Sequence, residues 1–132
     1  MYGSGSLRPE SDFREIYHPL FDKYRVDLAL QGDLHVYERT YPITFNNEDD
    51  DEPLGQSNNP SNIFMNPKGT IFVTVGTSGA HDMTLSSLDD YEAKGIDGKF
   101  GVLDIEFEDD QKTLKGSFIK MERKRCWMNL KL

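Results

Sequence analysis

The sequence predicts an α/β fold, a mixed sheet with one packed amphipathic helix and a C-terminal antiparallel hairpin, on three observations. Phe13, Ile16, Tyr17, Leu20, Phe21 and Tyr24 recur at three- and four-residue spacing, the period of one helical face. Residues 26–30 and 70–75 are short apolar runs of strand length, the second rich in β-branched side chains. Residues 101–107 and 114–119 alternate apolar with polar on either side of the polar turn 109–112, as the two arms of a hairpin do.

Each element has its own warrant. Pro9 suits the first turn of the helix, and Ser11 or Asp12 can satisfy its early N–H groups. Pro19 lies inside the pattern and is expected to kink or divide the helix, because it brings no N–H and crowds the preceding turn. The apolar stripe is expected to be core. Val26-Asp27-Leu28-Ala29-Leu30 reads as an interior strand covered on both faces. Residues 41–45 extend again briefly, and residues 46–62 form a long surface loop with the acidic run Glu48-Asp49-Asp50-Asp51-Glu52. Such a run is usually solvated; calcium or a basic partner is the alternative.

The strand at 70–75 ends in Gly76-Thr77-Ser78-Gly79-Ala80, a small-residue loop that permits close backbone approach to a ligand and is equally what a tight turn needs. His81 follows it. Residues 86–98 are polar and expected to be irregular or partly helical. The predicted domain covers residues 1–122, and the tail 123–132 either docks through Trp127 or stays without fixed structure.

The net charge of −8 and the lack of a Lys/Arg-rich stretch before the tail argue against nucleic acid as a partner. A small anionic substrate therefore needs a local cationic or metallic centre. No apolar run approaches the length of a membrane span, so a membrane partner is not expected. Cys126 is the only cysteine, which rules out an intrachain disulfide. Nothing in the residues settles a compartment.

Gly32-Asp33-Leu34-His35-Val36-Tyr37-Glu38-Arg39-Thr40 directly follows the first strand, and ligands in open α/β sheets gather where strands end. In an extended stretch, side chains two residues apart share a side, so Asp33 and His35 are candidates to reach one metal centre. Taken alone, a Gly-Asp pair after a strand is more often a turn, and a lone histidine more often a surface residue. The longer segment resembles the Gly-His-x-His-x-Tyr-Glu-Arg element of the purple acid phosphatases, metallophosphoesterases with a two-metal site. Asp33 stands where that family has its first histidine.

The resemblance runs from Tyr2 to about Met121. It implies the C-terminal half of a metallophosphoesterase α-β-β-α sandwich, incomplete as a domain. Asp33 and His35 would be metal ligands, with Glu38 and Arg39 steadying the ligand loop from behind. Arg8 falls where the family contacts the substrate phosphate, a task a guanidinium suits, and His81 would face that phosphate. The family's dinuclear centre, iron with zinc, manganese or a second iron, activates a hydroxide that cleaves a phosphate monoester.

A two-metal site takes about six or seven protein ligands, and this chain supplies two candidates. The family's Asp-x-His, Gly-Asp-x-x-Asp/Tyr and Gly-Asn-His-Glu motifs do not occur in it. Met1-Tyr2-Gly3-Ser4 resembles the stretch following a further family ligand, a histidine before a His-x-Pro-x-Tyr element. The expectation is a C-terminal segment of a larger phosphatase, whose partner is the missing N-terminal half. Alone it should be inactive and hold no metal ion, or one weakly. A carboxylate at position 33 would favour iron(III), manganese or magnesium and raise the pKa of bound water. The competing reading is a non-catalytic binding or interaction module on a degenerate phosphoesterase scaffold.

Overall fold

A computed structural model describes residues 1–3, 11–55, 62–81, 83–108 and 112–121. Helix α1 (Ser11–Tyr24) is followed by strands β1 (Leu28–Gln31), β2 (Tyr37–Thr40), β3 (Ile71–Val75) and β4 (Glu92–Ile96), and then by β5 (Gly101–Phe107) and β6 (Leu114–Lys120). The first four strands form one mixed sheet in the order β1-β3-β2-β4, and β5 and β6 form a separate antiparallel hairpin. The expected α/β architecture of mixed sheet, helix and hairpin is present. Arg8, the tail 123–132 and the loop residues 56–61 lie outside the described residues.

Several expectations are corrected. Most of the apolar stripe of α1 is not core: Ile16 and Tyr24 are 59% and 70% exposed, Phe13, Tyr17 and Leu20 are exposed as well, and of the stripe Phe21 packs against the core. Arg14 and His18, one helical turn apart, occupy the buried face instead. Both can be buried because both are bonded. Arg14 pairs with Asp50 at 3.3 Å and with Asp51, while His18 bonds Tyr2 Oη at 2.7 Å. Pro19 does not divide the helix, which runs unbroken to Tyr24.

The strand predicted at 26–30 is not interior. Among the described residues β1 is a sheet edge, parallel to β3 through Leu28↔Ile71 to Gln31↔Thr74, and Leu30 is exposed. Residues 86–98 contain a strand, β4, which pairs antiparallel with β2. The described part of the acidic loop is anchored rather than free. The Arg14 pairs hold it to α1, Thr44 and Leu54 form a bridge, and Pro53 is buried.

The core is a cluster of Tyr2, Ile43, Phe72 and Tyr91, with Phe21 and Ala29 packed against it. The Tyr2 ring lies 4.9 Å from that of Phe72 and 5.4 Å from those of Tyr91 and His18. Burial pushes the Tyr2 and Tyr91 hydroxyls far above the ordinary phenol range, so both remain protonated. The hairpin meets this body through the rings of Tyr37 and Phe118, 4.5 Å apart, and through Thr77, which bonds Gly101 by both backbone and side chain.

Candidate functional site

Because β1 and β3 are parallel, both end at the same edge of the sheet, and β2, antiparallel to β3, begins there. The strand order places β3 between β1 and β2. Residues 32–36 must therefore cross over the end of β3 to connect them. The crossing is close. Gly76, the first residue after β3, donates its N–H to the Val36 carbonyl at 3.1 Å. A Cβ placed there would lie 2.0 Å from the Leu34 carbonyl oxygen. Glycine is required at this point by the chain passing above it.

The crossing segment is bent, not extended, so the alternation argument that paired Asp33 with His35 does not apply to it. Asp33 sits at the centre of a γ-turn. The Leu34 N–H donates to the Gly32 carbonyl at 3.0 Å, and Asp33 has φ 73°. Positive-φ γ-turns are strained, and aspartate is among the few side chains found at such φ. Strain of this kind concentrates at functional loops.

His35 is half-buried and held on two sides. Its Nδ1 lies 2.8 Å from the carbonyl oxygen of His81. A carbonyl only accepts, so Nδ1 carries the proton and the neutral ring keeps its lone pair on Nε2. The His35 backbone N–H donates to Met83 Sδ at 3.3 Å. The His35 and His81 rings stand perpendicular with centroids 5.0 Å apart. The two histidines predicted for different tasks, metal and substrate, are thus neighbours. Met83 was not identified from the sequence; a contact across 48 residues leaves no local spacing signal.

Glu38 and Arg39 lie on β2 and point to opposite faces. Glu38 is buried, and its carboxylate and the Leu34 side chain fill the space that a Cβ on Gly3 would need. Arg39 donates to Asn62 Oδ1 at 2.7 Å and lies over the Phe64 ring, so its contacts run to the 62–64 segment. Among the described residues the cluster of three or more potential metal donors is Asp49, Asp50 and Asp51, of which Asp50 and Asp51 are engaged by the Arg14 guanidinium.

One helix, a mixed sheet with a crossing loop at its strand ends, and a separate hairpin define an α/β region of a phosphoesterase domain. No family model matches the chain. It is 41% identical over 87 residues to probable inactive purple acid phosphatase 27 of Arabidopsis thaliana, covering 66% of this chain and 13% of that protein. Probable inactive purple acid phosphatase 24 of the same plant is 39% identical over 87 residues with the same coverage. A nucleotide pyrophosphatase/phosphodiesterase of Hordeum vulgare is 37% identical over 75 residues, covering 54% of this chain and 18% of that protein. The chain belongs to the purple acid phosphatase family, as a partial region of it. The aligned region spans about an eighth of the length of the first two relatives.

Purple acid phosphatases as a family have a metal centre. The donor chemistry here fits one edge of such a centre. The proton on Nδ1 of His35, held by a carbonyl, leaves Nε2 in the state a metal ligand requires.

Proposed function

We propose that this chain is the part of a purple acid phosphatase-like phosphoesterase that carries the Asp33–His35 ligand loop and presents it at the strand ends. The remaining ligands come from other parts of the longer protein. A divalent or trivalent centre, when bound, supplies Lewis-acid activation of water for phosphate monoester cleavage. This chain's own part is positional. Gly76 lets the loop cross β3 closely, the His81 carbonyl fixes the His35 tautomer, and Glu38 and Leu34 both approach Gly3. The observation that carries the reading is the Nδ1 bond of His35 to a main-chain carbonyl at 2.8 Å. Phosphorylated small molecules are the substrate class, in keeping with the phosphatase and phosphodiesterase names of the relatives.

A second reading has its own support. The first two relatives are named probable inactive forms, which favours a non-catalytic module on the same scaffold. Metal content separates the two. The longer protein, purified and analysed for bound metal, should hold two ions and lose at least one in a His35→Ala variant. A metal-free longer protein with unchanged fold would favour the non-catalytic module.

A further inference from the structure

We infer that His35 and His81 together form a two-imidazole site for a borderline divalent cation of the zinc class. This deepens the assignment of His35 as a ligand and rests on it. Three observations converge. The His35 Nδ1 proton is committed to the His81 carbonyl at 2.8 Å, so the lone pair available for an ion is on Nε2. The two rings lie 5.0 Å apart, centroid to centroid. Two imidazoles bound through nitrogen to one tetrahedral zinc at about 2.0–2.1 Å place their ring centres roughly 5 Å apart, so the spacing already suits a shared ion. The His81 side chain is exposed, so an ion reaches it directly from solvent.

The bond between them also explains how the pair stays together across 46 residues of sequence. The backbone of His81 grips the ring of His35, while the Gly76 contact and the Met83 sulfur fix the same loop from either side. Asp33 occupies the position of the family's first loop histidine, and His81 brings a second imidazole to the same neighbourhood. Imidazole pairs select zinc, nickel and copper over magnesium and calcium.

The test is a zinc titration of the full 132-residue chain, followed through the imidazole NMR signals and by calorimetry, with magnesium as the control. One equivalent of zinc should shift the ring signals of both His35 and His81, and magnesium should shift neither. His81→Ala should weaken zinc about tenfold or more, and His81→Asp, which restores a ligand atom, should recover part of the loss. Zinc shifting the His35 ring alone overturns the pair and leaves His35 as a ligand. Zinc shifting neither ring also overturns the pair, while the role of His35 in the longer protein is decided separately by the metal content of its His35→Ala variant. Should His81→Ala unfold the chain, the ring shifts of the unaltered protein decide the question by themselves.

Discussion

Gly76 shows how one residue type can be dictated by a chain crossing. Its missing Cβ is the space through which the Leu34 carbonyl passes. Gly76→Ala should therefore destabilise the protein by about 1–3 kcal/mol through overpacking. It should also release His35 Nδ1 from the His81 carbonyl, seen as loss of the fixed tautomer in its NMR spectrum. An alanine variant with unchanged melting and an unchanged His35 signal would contradict the crossing as described. His18 carries a pH prediction. Its pKa lies below the ordinary 6.5 because burial disfavours the imidazolium, against the opposing pull of Asp22 and the bond to the Ile43 carbonyl. The unfolded chain thus takes up the proton first as pH falls. Stability should be complete above about 6.5 and decline as pH drops through the window beneath it, and His18→Gln should flatten that decline in urea titrations. At this scale the sequence exposed the loop residues 32–40 by resemblance and gave no sign of His18 or Met83. Both act through contacts formed only on folding.

Helix α1 inverts the usual reading of an amphipathic stripe. Periodicity correctly located the helix, but burial follows partners, and Arg14 and His18 find ionic and hydrogen-bonding partners on the inward side. The same contact anchors the acidic loop. Arg14→Met should cost about 1–3 kcal/mol, the usual penalty for leaving a buried polar group without its partner, moderated by the exposure of Asp51. It should also make residues 46–55 more susceptible to limited proteolysis; an unchanged cleavage pattern would mean that the ion pairs do not hold the loop. The strand at 71–75 and the hairpin were legible because their β-branched and alternating patterns are local. Strand β4, Glu-Ala-Lys-Gly-Ile, has neither pattern and exists through its pairing with β2. The edge position of β1 could not be read from its apolar run, which marks what a strand can bury and not which neighbours it has.

At the scale of the whole molecule, apolar side chains among the described residues stand exposed on the outward face of α1, at Leu30 of the edge strand, at Ile63 and Met65, and along the hairpin, where Phe107 is 71% exposed. Patches of this kind mark association sites, and an open strand edge invites further pairing. The 132-residue chain should bind a hydrophobic dye and associate as salt rises, since its net charge of −8 opposes association only while unscreened. A dye-silent monomer with a sharp, reversible thermal transition would instead describe a self-contained module. The central claim is that this region holds one edge of a metal site whose other ligands lie elsewhere in the longer protein. Its most direct test is hydrolysis of a chromogenic phosphate monoester by the 132-residue chain, supplied with iron, zinc or manganese from acidic to neutral pH. The account predicts no turnover above background under any of these conditions; robust turnover abolished by His35→Ala would contradict it.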